Sequence, residues 1–244
     1  MCEMCRQNTI PGFGPSRRNL LFGAASSMAM LLANAAGAKE MKAPPKPQNV
    51  LSPDASLDRL VKGNARYVEG VSLRHDFKHE REALAGGQNP YAAIFSCAAS
   101  RIAPEYAFET CRGDLFVCRV AGNFANAETV ASLEYAVAVL NTPLILVLGH
   151  DSCGAVDAAI KSLKDDTTLP GHLPSLVTGL APAVKAVLQQ GGDTLSKAIR
   201  QNVVDTIAKL SSATPILSAA VEQRKIRVVG GIYRLESGRV DMVS

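Results

Sequence analysis

Short, wholly apolar runs alternate with segments of helical period along most of this chain. The runs YAAIFSC, DLFVCRV and PLILVLGH are brief, rich in branched or aromatic residues, and bounded by turn formers. A strand with one wet face alternates apolar and polar positions. A strand apolar on both faces is covered on both, the pattern of a parallel sheet. Between the runs, PEYAFET predicts a short helix opened by proline at its first turn. NAETVASLEYAVAVLN predicts a longer helix starting from a cap at Asn126. CGAVDAAIKSL predicts the helix after the third run. Residues 172–224 read as mostly helical, with breaks at Gly191-Gly192 and at Pro215. KIRVVGGIYRL is a late strand, and SGRVDMV returns through Ser237-Gly238 to pair with it as a hairpin. The fold class expected is α/β, a mostly parallel central sheet flanked by helices.

Two helical segments precede the first strand. SLDRLVKGNARYVEG predicts a helix capped at Ser56, with Leu57, Leu60 and Val61 on one face. HDFKHEREALAGG predicts a second helix that stops at Gly86-Gly87. Before them, the Pro- and Lys-rich MKAPPKPQNV marks residues 39–54 as an extended linker.

Residues 1–38 read as an address. Arg17 and Arg18 precede an apolar run from Leu20 to about Ala38, which ends in Ala36-Gly37-Ala38. That run is mostly alanine with Gly, Ser and Asn, a poor membrane span. The pattern S-R-R-x-L-L is similar to twin-arginine export signals. A periplasmic or secreted location is expected, with the globular domain at 55–244. No other segment is long and apolar enough to cross a bilayer. Cys2 and Cys5 fall in the leader, and no role in the mature chain is read for them.

Composition changes this picture little. The chain has 244 residues, of which 47% are apolar and 20% charged, enough for one domain with a core. The formal charge is +4. Arg6, Arg17 and Arg18 against Glu3 in the leader account for part of it, so no basic face remains and no nucleic-acid partner is expected. Of the other thiols, Cys118 sits in an apolar run and Cys111 before a turn, and both read as structural. His75 and His79 stand at i and i+4, but Arg74, Lys78, Glu80 and Arg81 around them mark a solvated face, and no site is read there.

The chemistry gathers at two strand ends. Cys97 and His150 each end a predicted parallel strand, and Cys153 opens the helix just beyond His150. Open α/β sheets place ligands there. Two thiolates and an imidazole make a zinc set, and three protein ligands leave a fourth position for chemistry. Taken singly, Cys97 reads as a core thiol and His150 as a strand-end cap.

These residues also carry a resemblance. Cys97, Arg101, Gly113-Asp114-Leu115-Phe116-Val117, Arg119, Ala121-Gly122-Asn123, Ser132 to Val137, and Gly149-His150-x-x-Cys153-Gly154-Ala155 resemble the β-class carbonic anhydrases. Leu57-x-x-Leu60-x-x-Gly63-Asn64-x-Arg66-Tyr67 and the late GGIYRLESGRV are similar too. The resemblance covers about residues 55–243. It implies one antiparallel strand added to the parallel sheet, a homodimer or higher homo-oligomer, and sites near the subunit interface. It implies Zn2+ on Cys97, His150 and Cys153, and reversible hydration of carbon dioxide to bicarbonate and a proton. Gln88 matches a substrate-binding glutamine. Arg101 matches the arginine of a catalytic Asp–Arg dyad. Asp114 and Glu134 match structural positions, Glu134 as a group satisfying the turn at Ala121-Gly122-Asn123.

The dyad aspartate belongs at position 99, in C-x-D-x-R, and this sequence has Ala99. The missing carboxylate removes the acceptor that orients the attacking group and leaves Arg101 without its partner. Asp151 and Glu105 are the nearest replacements by motif. Three readings stand: a zinc carbonate dehydratase of reduced activity, a zinc-binding pseudoenzyme or bicarbonate-binding protein, and a hydrolase of a carbon dioxide analogue.

Overall fold

The computed structural model describes residues 50–72 and 74–243, so the leader reading and most of the linker reading lie outside the described residues. Strands β1 (Ala92–Ser96), β2 (Leu115–Arg119), β3 (Leu144–His150), β4 (Arg227–Tyr233) and β5 (Val240–Val243) form one sheet in the order β2-β1-β3-β4-β5. The first four run parallel and β5 pairs antiparallel with β4. This is the expected mostly parallel sheet with one antiparallel strand.

The apolar runs explain the order. Every residue of β1 and β3 is buried, and these two strands occupy central places. Their side chains alternate between two cores. Ile94, Leu144, Leu146 and Leu148 pack on one face with Leu60 of α1 (Pro53–Val68) and Ala107 of α3 (Pro104–Ala107). Ala93, Phe95, Ile145 and Val147 pack on the other with Leu133, Val203 and Leu217. These three come from α4 (Ala127–Ala138), α7 (Thr194–Ser211) and α8 (Ile216–Glu222). Helix α2 (Phe77–Leu84) precedes β1. Helices α5 (Gly154–Lys164) and α6 (Pro174–Val187) follow β3 and share a core with α7 and Cys153. β2 lies at the edge and is only half-buried. Cys118 on it is therefore half-buried too.

Glycine lets α7 approach the sheet closely. A Cβ at Gly230 would come within 2.6 Å of Ile207 and Val203, and one at Gly149 within 2.8 Å of Val203. Both would force the helix outward.

Helix α1 starts earlier than the sequence pattern suggests. Its cap is Ser52, whose side chain accepts from Ala55 N–H, and Pro53 occupies the first turn. Ser56 lies inside the helix, fully buried. The inward face is Ser56, Leu60, Gly63 and Asn64, while Val61 is 48% exposed. The Ser-Pro pair outweighs the linker-like composition around it.

Asn64 holds this helix to the rest of the domain. Its amide donates to the carbonyls of Ala107 and Gly238, both at 2.8 Å, and its oxygen accepts from Val240 N–H at 2.9 Å. Replacing Asn64→Ala leaves buried backbone groups without partners. The variant is expected to lose about 3 kcal/mol of stability in urea unfolding. A loss under about 1 kcal/mol would mean that water replaces the amide fully.

Candidate metal centre

β1 and β3 are hydrogen-bonded neighbours, with Ser96 opposite Leu148. The chains leaving them, Cys97 on one and Gly149-His150 on the other, emerge side by side at the carboxyl end of the sheet. Ser152 adopts φ of 51°, the left-handed region. That turn brings Cys153, the N-cap of α5, back beside His150. One donor atom from each of Cys97, His150 and Cys153 lies within 4.8 Å of the others, and all three residues are buried.

The donor set fits zinc. The two Sγ atoms are 3.9 Å apart. Two sulfurs on a tetrahedral zinc, each about 2.3 Å from the ion, stand about 3.8 Å apart. A disulfide needs about 2.05 Å, and both thiols are free. His150 Nδ1 lies 2.7 Å from the Asp151 carbonyl oxygen, so Nδ1 carries the proton and donates it. Nε2 is then an acceptor, and it is buried with no hydrogen-bond partner. A buried acceptor left unpaired costs about 1–3 kcal/mol, which a metal at this position would relieve.

The thiols compete for charge without a cation. The hydrogen bond from Cys153, joined by that from the Gly122 N–H, holds Cys97 well below the usual thiol range against the opposing effect of burial. Cys153 is pushed up, because it is the donor to Cys97 and because burial disfavours a second thiolate. A divalent cation removes that competition and stabilises both thiolates.

The surrounding backbone is held by side chains to which the sequence pattern assigns no role. Arg119, at the end of edge strand β2, donates to the carbonyls of Cys97 at 3.0 Å, Ala99 at 2.7 Å and Ile102 at 2.9 Å. Its guanidinium therefore clamps the loop that carries Cys97. The Gly122 N–H is 3.3 Å from Cys97 Sγ, and Asn202 of α7 donates to the Gly122 carbonyl at 2.8 Å. Asn202 does the work expected of Glu134, which makes no hydrogen bond to this turn. The available signal was an asparagine on the mostly apolar inner face of α7, beside Ile199 and Val203.

Ala99 is half-buried and packs against the core cluster that contains Cys97 and Cys153. Arg101 is exposed and donates to the Ser152 carbonyl at 3.1 Å. Among the described residues no carboxylate pairs with it. Asp151 instead accepts from Leu235 N–H at 3.1 Å, and Glu105 is an exposed residue of α3. Neither replaces the missing aspartate. Gln88 is exposed in the loop before β1, at the opposite end of that strand from Cys97. At about 3.3 Å per strand residue, β1 alone keeps it from the cysteine of its own chain.

A family model described as carbonic anhydrase matches residues 92–240. Carbonic anhydrase 2 of Mycobacterium tuberculosis is 39% identical over 189 residues, 77% of this chain and 91% of that protein. The carbonic anhydrase of Mycolicibacterium smegmatis is 36% identical over 194 residues, 79% of this chain and 94% of that protein. Among solved structures, the β-carbonic anhydrase CcaA superposes with a TM-score of 0.60 at 28% identity, covering 77% of this chain and 91% of its own. A tetrameric β-carbonic anhydrase from the ascomycete Sordaria macrospora gives 0.61 at 26% identity, covering 78% and 94%.

Arg119→Ala frees three loop carbonyls and loosens the backbone of Cys97. Zinc affinity, read by competition with a chromogenic chelator, is expected to fall about 10- to 100-fold. Unchanged affinity would show that the loop holds its shape without the guanidinium.

Proposed function

The chain belongs to the β-class carbonic anhydrase family, and on that premise we propose that it hydrates carbon dioxide reversibly with a zinc ion held by Cys97, His150 and Cys153. The observation that carries this reading is the convergence of two thiols 3.9 Å apart with a buried imidazole nitrogen that has no other partner. A zinc ion there supplies Lewis-acid activation of water, lowering its pKa from about 16 towards 7.

The protein's own groups set the rest. The Asp151 carbonyl fixes the His150 tautomer and ring plane. The Gly122 N–H spreads the negative charge of Cys97 into the backbone. Arg101 stands exposed next to the Cys97 loop, where its free donors suit an anionic product such as bicarbonate. Ala99 offers no acceptor to orient the attacking group, so part of the positional contribution to the rate is missing. Gln88 serves substrate only from a second copy of the chain, because its own Cys97 is at the far end of β1. A substrate role for Gln88 therefore goes with a homo-oligomer whose site lies at a subunit boundary.

We further propose that the twin-arginine leader exports the folded chain. Amino-terminal sequencing of protein recovered from the periplasm or medium is expected to start just after Ala38. A start at Met1 in the cytoplasm would overturn this.

Stopped-flow hydration of carbon dioxide by the zinc-loaded chain tests the activity. The native chain is expected to turn over, with Cys153→Ala inactive. Ala99→Asp is expected to raise the rate about 10²-fold by restoring an acceptor beside Arg101. No turnover in the native chain, with zinc bound, would leave a binding role instead.

A further inference from the structure

We infer that His75, Glu80 and Cys111 form a second divalent-cation site, suited to a borderline transition ion such as zinc. One ligand atom from each lies within 4.8 Å of the others. Closing by about 1 Å brings these separations to the edges of a tetrahedral zinc site. Imidazole, carboxylate and thiolate together suit such an ion better than a hard, all-oxygen cation.

The three donors come from separate pieces of chain that already hold them close. His75 Nδ1 lies 3.1 Å from Glu80 Oε1, and its ring stacks on Phe77 with centroids 5.4 Å apart and planes at 3°. Glu80 stands in the first turn of α2. Cys111 lies in the loop before β2, where its N–H donates to Asp114 Oδ2 at 2.9 Å. That carboxylate is anchored in turn by Arg59 at 3.1 Å.

Two observations make this more than an ion pair. Glu80 Oε2 is shut away from solvent and has no hydrogen-bond partner. The Cys111 thiol is free. Burial pushes it up, and the negative charges of Asp114 and Glu80 push it further. The same charges favour a bound cation, and the cation would favour the thiolate. Arg59 is engaged with Asp114 and Arg66 with Glu109. His75 also lines a cavity of about 330 Å³ with Glu109, whose second carboxylate oxygen is buried and unpartnered. That cavity reaches the cluster at His75.

The site is separate from the one at the strand ends. Asp114, three residues after Cys111, accepts from Tyr91 N–H at the amino-terminal end of β1. Cys97 is at the other end of that strand. Helix α2 has no fully buried residue among those described. An ion joining Glu80 to Cys111 would fasten this thinly packed helix to the start of β2.

The test is zinc content of the full chain after loading and desalting, measured by mass spectrometry. Native protein is expected to hold about one equivalent more than either His75→Ala or Cys111→Ala. Cys153→Ala, measured beside them, reports the strand-end site independently. Amide exchange across residues 77–84 is expected to slow on adding zinc to native protein and not to Cys111→Ala. Equal zinc in native protein and Cys111→Ala, or zinc-independent exchange in α2, would overturn the second site whatever happens at the first.

Discussion

The pairing of Ser96 with Leu148 across β1 and β3 decides where the chemistry sits. Because the strands run parallel, both release their chains at the same end of the sheet. Because the register sets Cys97 beside Gly149-His150, a sulfur and an imidazole meet there. A slip of one residue would turn the side chains of one strand to the opposite face. The slip is prevented by the packing itself. Both strands are buried on both faces, so every side chain from Ala92 to Phe95 and from Leu144 to Leu148 has a fixed place in one core or the other. The convergence of the three donors is therefore a consequence of core packing in strands that contain only one of them, His150. The left-handed Ser152 then adds the third donor at the cost of one strained residue.

What the sequence made legible follows from the same logic. Uninterrupted apolar runs leave little choice but a parallel sheet covered on both sides, and strand ends in such a sheet are where polar donors collect. Cys97, His150 and Cys153 stand at those ends and could be read there. The start of α1 could not, because the composition before Ser56 looked like a continued linker, whereas Ser52 and Pro53 form a capped first turn. Arg119 and Asn202 were hidden for a different reason. Each acts on backbone carbonyls of a segment distant in sequence, and a carbonyl leaves no mark on the sequence pattern. The cluster of His75, Glu80 and Cys111 was hidden similarly. Helical spacing pairs His75 with His79, while the fold pairs it with a thiol beyond β1 and α3.

The polarity of the sheet also bears on the glutamine. A strand that places Cys97 at its carboxyl end places Gln88 beyond its amino end, and no loop rearrangement within one chain spans β1 without undoing the core. A role for Gln88 in substrate binding thus requires two chains. The same geometry keeps the His75–Glu80–Cys111 cluster away from its own strand-end thiols, so the chain can hold distinct donor sets without their sharing one ion.

Ala99 tests what an aspartate in this loop is for. If an ion pair to Arg101 held the loop in shape, its loss would leave the Cys97 backbone poorly supported. Instead the loop is held by its carbonyls. Arg119 takes those of Cys97, Ala99 and Ile102, and Arg101 ties across to the Ser152 carbonyl on the other strand's turn. None of these bonds uses the side chain at position 99. The alanine methyl adds to the apolar packing around both thiols. The scaffold that presents the three donors is therefore kept without a carboxylate at position 99.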